Sequence, residues 1–128
     1  MRLLLDTHLA LWWLIRGSRV PDAARAIIEN SAESVAISRV SLWEMAVKIS
    51  TGKLDIDLPR FVEKAEASGF EWLDIKTEHI LVVSTLPLHD DHRDPFDRLL
   101  VAQSLSEPLV LLTADAKLAR YGATVRVV

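Results

Sequence analysis

The sequence contains no cysteine, which excludes disulfide bonds, zinc–thiolate sites and thiol nucleophiles. The absence suits a reducing compartment, so the cytoplasm is the predicted location. Only four glycines and five prolines occur, and they are scattered, with no linker or low-complexity segment between them. Half of the 128 residues are apolar, which is enough for a core of its own. We therefore predict one domain that spans residues 1–128.

The chain also lacks a hydrophobic run long enough to cross a bilayer. Its first fifteen residues are rich in leucine and tryptophan, but Asp6 and His8 interrupt them. No small-residue cleavage pattern follows, so this start does not have the features of a signal peptide. The pattern predicts a strand followed by a helix.

Positive charge is not in excess either: the formal net charge is −3 and the pI is about 5.8. Proteins that bind nucleic acid through phosphates usually carry a basic surface. Acidic residues that gather around a bound cation reverse this expectation, because the ion dominates the local field. The overall charge therefore leaves the class of substrate open.

Short apolar segments alternate with segments of helical spacing along the whole chain. Strands are predicted at residues 2–6, 35–38, 72–75, 109–113 and 125–128. Helices are predicted at residues 7–15, 21–32, 39–50, 58–68, 77–84, 95–107 and 114–121. This alternation predicts a three-layer α/β/α fold with a five-stranded, mostly parallel sheet. In such sheets the active crevice lies at the carboxyl ends of the strands.

Two aspartates directly follow predicted strands. Asp6 ends the first strand, and Asp115 follows the apolar run that ends at Thr113. Either carboxylate could simply cap the next helix, a role that contributes about 1 kcal/mol. Their position at strand ends makes both candidates for the crevice.

Two further acids lie on predicted helices beside apolar positions. Glu44 lies at the edge of an apolar stripe, with Lys48 one turn away, so a surface ion pair is the alternative interpretation. Asp97 faces inward on the first turn of its helix, while Asp94 and Pro95 suit the helix start. A charge beside an apolar stripe must be paired or bind a metal.

Taken together, Asp6, Glu44, Asp97 and Asp115 are the candidate catalytic and metal-binding residues. Two carboxylates about 4 Å apart repel each other by about 4 kcal/mol at an effective dielectric near 20. An all-oxygen cluster of this kind suits Mg²⁺ or Mn²⁺. Such an ion can activate water for attack on a phosphodiester.

Residues 89–94 form a rival cluster of histidine and aspartate that could bind zinc or manganese. No second histidine-bearing motif completes a tetrahedral site, so we predict a solvated loop instead. Arg93 or Arg98 could contact phosphate near the acids.

The motifs around these acids resemble those of the PIN domain family, in particular its VapC-type toxins. The resemblance rests on four segments in order: Leu-Leu-Leu-Asp-Thr-His at the start, Ile-Ser-Arg-Val-Ser-Leu-Trp-Glu ending at Glu44, Asp-Pro-Phe-Asp-Arg-Leu-Leu around Asp97, and Leu-Leu-Thr-Ala-Asp ending at Asp115. They run from the first residues to the last predicted strands. The chain has His8 where many members have asparagine, which leaves the role of His8 open.

The resemblance implies a parallel sheet in which the first and fourth strands are neighbours. Asp6 and Asp115 would then meet, and Glu44 and Asp97 would join them from flanking helices to hold one or two Mg²⁺ or Mn²⁺ ions. It also implies a metal-dependent endoribonuclease that cleaves RNA with activated water. The implied partners are a cognate VapB-type antitoxin and a second copy of the chain.

Two other classes of function are weighed against this one. A Mg²⁺-binding receiver-type signalling domain has a similar size, but it needs paired acids after its first strand, and Asp6 stands alone. A PIN-like fold that serves only as an interaction module would be marked by loss of site acids. All four positions are filled here.

Overall fold

Five parallel strands form one sheet at the centre of the fold, in a computed structural model that describes all of residues 1–128. They are β1 (Arg2–Leu5), β2 (Ser34–Ser38), β3 (Glu71–Leu73), β4 (Val110–Thr113) and β5 (Val125–Val127). Their order across the sheet is β3-β2-β1-β4-β5, and every pairing is parallel. The predicted fold class is confirmed, and β1 and β4 are neighbours as the resemblance implied.

Six α-helices connect the strands: α1 (Thr7–Ile15), α2 (Asp22–Asn30), α3 (Arg39–Ser50), α4 (Leu58–Ala67), α5 (Thr77–Val83) and α6 (Pro95–Ser106). A short 3-10 turn covers Gly17–Arg19. The helix predicted over residues 114–121 is present over Ala116–Tyr121, where it is a 3-10 helix and not an α-helix. The 3-10 helix ends before Gly122. Gly122 has a φ of 118°, a backbone angle that residues other than glycine rarely adopt. No helix is both long and apolar enough to cross a membrane.

The side chains of the central strand β1 divide the core into two layers. Leu3 and Leu5 are fully buried against α1, α2 and α4, where Phe61 is also fully buried. Leu4 points to the opposite face and packs with Val40 of α3 and Leu100 of α6. Successive residues of a strand face opposite sides of the sheet, so three leucines in a row fill both layers. The sheet is thus covered by helices on both faces.

The strand order places the crevice at the carboxyl ends of β1 and β4. The chain leaves β1 at Asp6 and β4 at Thr113, and these ends lie at the same edge of the sheet. The Asp6 amide donates to the Leu112 carbonyl at 3.0 Å, which extends the pairing to the first site residue. A receiver-type sheet has the order 2-1-3-4-5, so the observed order argues against that alternative.

Candidate metal centre

Asp6 is both the cap of α1 and an acid of the crevice. Its Oδ1 accepts a hydrogen bond from the Leu9 amide at 2.8 Å, and its Oδ2 accepts one from the Thr113 hydroxyl. The residue is only 4% exposed. Burial raises the pKa of Asp6, although the bonds from Thr113 and Leu9 act in the opposite direction. The capping role is confirmed, and the same residue also lines the groove at this edge of the sheet.

Glu44 is buried, although its sequence context also allowed a surface ion pair. It is 2% exposed, its Oε1 accepts from the Thr7 hydroxyl at 2.7 Å, and its Oε2 accepts from Lys48 Nζ at 2.6 Å. Desolvation alone would lower the pKa of Lys48, but the hydrogen bond and charge of Glu44 raise it. The pair predicted on the helical wheel exists, but its acid lies inside the site and not on the surface.

Asp97 lies on the first turn of α6 and carries the strongest sign of crowded negative charge. Its side chain is 23% exposed. Desolvation, the neighbouring charge of Asp94 and weaker repulsion from Glu44 and Asp6 raise its pKa to about 6. A cation bound beside Asp97 would relieve this repulsion.

Asp115 follows β4, and its Oδ1 accepts from the Lys117 amide at 3.0 Å at the start of the 3-10 helix. Potential ligand atoms of Asp115, Asp97 and His92 all lie within 4.8 Å of one another. Ligands on opposite sides of one Mg²⁺ are about 4.2 Å apart, since each is about 2.1 Å from the ion. A small side-chain adjustment would let Asp97 and Asp115 share an ion.

The four acids predicted from the sequence therefore converge on one edge of the sheet. Asp6 and Asp115 line a groove of about 280 Å³ together with His8, Trp12 and Ala114. Glu44 and Asp97 belong to the same cluster, since their charges act on each other and on Asp6. A donor set made mainly of carboxylate oxygens, some of them still accessible, fits Mg²⁺ or Mn²⁺.

Asp94 caps α6, as its sequence context predicted. Its Oδ1 accepts from the amides of Phe96 and Asp97 at 2.8 and 3.0 Å. The side chain is exposed, and its charge contributes to the raised pKa of Asp97.

The prediction that residues 89–94 form a solvated loop is wrong for one residue, His92, which is buried. Asp90 and Asp91 are exposed, but His92 is 6% exposed and lies against the site. Its Nε2 is 3.2 Å from Asp97 Oδ2, and its Nδ1 is 2.9 Å from the Tyr121 hydroxyl. His92 contacts Tyr121, which lies 29 residues later in the chain, and no local sequence pattern predicts this contact.

Arg98 also departs from its predicted role as a phosphate contact. It is 7% exposed and donates to the Pro87 carbonyl at 2.7 Å and to the Tyr121 hydroxyl at 3.2 Å. A guanidinium only donates, so the Tyr121 hydroxyl accepts from Arg98 and can donate its own hydrogen bond to Nδ1 of His92. Nε2–H of His92 then donates to Asp97. This chain of hydrogen bonds orients Asp97. The other candidate, Arg93, pairs with Asp90 at 3.1 Å.

The fold and this arrangement of acids define the class of protein. The chain belongs to the PIN domain family, whose sequence profile matches residues 3–123. It is similar to ribonuclease VapC22 of Mycobacterium tuberculosis, with 27% identity over an alignment 124 residues long. The match covers 90% of this chain and 88% of that protein.

Solved structures share the fold over nearly the whole chain. VapBC2 from Rickettsia felis, bound to a DNA fragment from its promoter, superposes with a TM-score of 0.71 at 18% identity, over 100% of this chain and 98% of that one. A toxin–antitoxin complex from Klebsiella pneumoniae gives 0.66 at 18% identity, over 97% and 95%. At these identities the likeness shows the fold and no more.

Proposed function

We propose that this chain is a metal-dependent endoribonuclease and the toxin of a VapBC-type toxin–antitoxin pair. The observation that carries the proposal is that ligand atoms of Asp97 and Asp115 lie within 4.8 Å of each other, while Asp6 and Glu44 lie near enough for their charges to contribute to the raised pKa of Asp97, about 6. The similarity to ribonuclease VapC22 supports RNA as the substrate. The reaction is hydrolysis of a phosphodiester bond.

The four acids would hold one or two Mg²⁺ or Mn²⁺ ions. When bound, the ion supplies charge neutralisation and lowers the pKa of water. Asp6 and Glu44 are fixed by two hydrogen bonds each, so they present their carboxylates in defined orientations. Asp97 and Asp115 are more accessible, so they would be the acids that substrate and water reach first. His92 holds Asp97 in place.

The proposed partners are a VapB-type antitoxin and a second copy of the chain. Structural neighbours described as VapBC and toxin–antitoxin complexes support the first. Large apolar side chains at Ile80, Leu81 and Leu88 are 57%, 63% and 69% exposed, which suits contact with protein.

The direct test is cleavage of total cellular RNA by purified, antitoxin-free protein. Wild-type protein with Mg²⁺ or Mn²⁺ should give discrete fragments, and EDTA should prevent them. Asp97→Asn should leave the RNA intact, whereas Asp90→Asn, an exposed acid of the neighbouring loop, should cleave as the wild type does. Intact RNA with folded wild-type protein and a range of RNAs would contradict the proposal and favour an interaction module without catalysis.

A further inference from the structure

A second groove, of about 500 Å³, lies beside the candidate metal centre. It runs between α1, α3 and the segment that follows α3. Its rim carries aromatic and cationic side chains: His8, Trp12, Arg16, Arg19, Lys48 and Lys53. The volume is that of a cleft for a small ligand or a short segment of a polymer.

Three cations of this groove have no acidic partner. Arg16, Arg19 and Lys53 are exposed, and none of them takes part in a salt bridge. The chain has 18 acidic residues against 15 lysines and arginines, so carboxylates are plentiful. Unpaired positive charge collected on one groove of an acidic protein is suited to an anionic ligand.

The groove is continuous with the candidate metal centre. His8 and Trp12 line both this groove and the one that contains Asp6 and Asp115. Lys48, on the same wall, donates to Glu44. An extended anionic polymer bound along the cations would therefore pass the rings of His8 and Trp12 before it reaches Asp6 and Asp115.

We propose that this groove binds a single RNA strand next to the bond to be cleaved. Phosphates contact Arg16, Arg19 and Lys53, and a base packs against the Trp12 ring. The inference rests on the proposed nuclease function and names where its substrate lies. Aromatic rings beside a line of cations are the pairing that recognises single-stranded nucleic acid, because rings stack on bases while cations bind phosphates. An acidic protein segment would make no comparable use of the rings.

The test measures binding without cleavage, by anisotropy of a short labelled single-stranded RNA in EDTA. The variant replaces Arg16, Arg19 and Lys53 by alanine. The control replaces Arg2, Arg60 and Arg126, three exposed arginines outside both grooves, and so changes the net charge equally. Thermal unfolding checks that both variants are folded.

The salt dependence of RNA affinity predicts how large the effect of the groove variant should be. Each phosphate contact with a single strand contributes about 0.7 to the slope of log affinity against log salt, so three contacts contribute about 2. The slope of log affinity against log salt should therefore be smaller in magnitude by about 2 in the groove variant than in the wild type. The groove variant should also bind about a hundredfold more weakly at about 0.1 M salt. The control variant should keep the wild-type slope.

Equal slopes and affinities in the two triple variants would overturn the proposal. A labelled polyglutamate peptide forms a second arm. If it binds as tightly as RNA and loses affinity in the same groove variant, the groove recognises an acidic protein segment and the RNA assignment is wrong. The cleavage assay separates the two proposals. Cleavage with unchanged binding contradicts the groove alone, whereas loss of slope in a protein that never cleaves supports the groove and contradicts the nuclease.

Discussion

The inner and outer halves of the acid cluster are held very differently. Asp6 and Glu44 are 4% and 2% exposed, and each carboxylate accepts two hydrogen bonds from the surrounding fold. Asp97 and Asp115 are more accessible, and each has one hydrogen-bond partner for its carboxylate. The inner acids are therefore part of the folded structure as well as of the site, while the outer acids contribute mainly charge.

This difference shows how a small domain can keep four acids together. At the inner positions, donors from Thr7, Thr113, Lys48 and the start of α1 act against burial and repulsion, although the pKa of Asp6 is still raised. At the outer position Asp97, partial burial and the charges of Asp94, Glu44 and Asp6 raise the pKa to about 6, and the bond from His92 only partly opposes them. Perturbed pKa values of this kind cluster at functional sites. Four predictions test the contrast.

The largest expected effect separates Asp97 from Asp6. Both Asp97→Ala and Asp6→Ala should lower RNA cleavage by about 10²-fold or more, as expected for loss of an electrostatic stabiliser. Only Asp6→Ala should also destabilise the fold, by about 2–3 kcal/mol, because it removes a helix cap and an acceptor for the buried Thr113 hydroxyl. Urea unfolding in EDTA measures this. Equal stability losses in the two variants would remove the distinction.

The second prediction concerns pH and follows from the raised pKa of Asp97. The carboxyl group of Asp97 has a pKa of about 6 in the folded state and about 3.8 in the unfolded state. It therefore binds its proton more tightly in the folded protein. Stability from this group is fully present below about pH 4 and is lost as pH rises through about 6, by an amount on the order of 3 kcal/mol.

Unfolding of metal-free protein between pH 4 and 7 should therefore show a loss that Asp97→Asn lacks. The difference between the two curves isolates Asp97, because Asp6, whose pKa is also raised, is present in both proteins. Curves of the same shape would show that Asp97 ionises normally.

The third prediction concerns the support of Asp97. His92→Ala should lower cleavage by about 10- to 100-fold, the usual effect of removing a residue that orients a metal ligand. His89→Ala is the matched control, because His89 also packs edge-on against Tyr121, at 5.3 Å, without a bond to any site acid. If both variants lose activity equally, His92 acts only through packing.

The smallest expected effect concerns the partner of Glu44. Lys48→Met should destabilise metal-free protein by about 1–2 kcal/mol, less than the 3–5 typical of a fully buried pair, because Lys48 is 35% exposed. Lys53→Met, an exposed lysine without a salt bridge, should change stability by less than about 0.5 kcal/mol. Thermal or urea unfolding distinguishes them, and no difference would mean that Thr7 alone holds Glu44.

Much of the fold could be predicted because two of its central strands, β1 and β4, are short apolar runs followed closely by acids. The segments before Asp6 and Asp115 are buried on both faces, and such runs are recognisable without alternation. The third strand was predicted at 72–75 but covers Glu71–Leu73, because this edge strand is short and partly exposed and has little apolar pattern.

Site residues could be predicted from sequence where their place after a strand determines their location. They could not be predicted where contacts between residues far apart in the chain determine it. Asp6 and Asp115 follow from their places after β1 and β4. The helical wheel showed the Glu44–Lys48 pair but could not show that Glu44 is buried. His92 and Arg98 both depend on Tyr121, at separations of 29 and 23 residues, so their roles needed the folded chain.

The central claim is that the outer acids complete a divalent metal site, and titration of the folded protein with Mn²⁺ at neutral pH tests it most directly. Calorimetry should show one or two ions bound by the wild type and by Asp90→Asn, with binding weakened by at least about tenfold in Asp97→Asn. Absence of binding by the folded wild type, or equal binding by Asp97→Asn, would contradict the account.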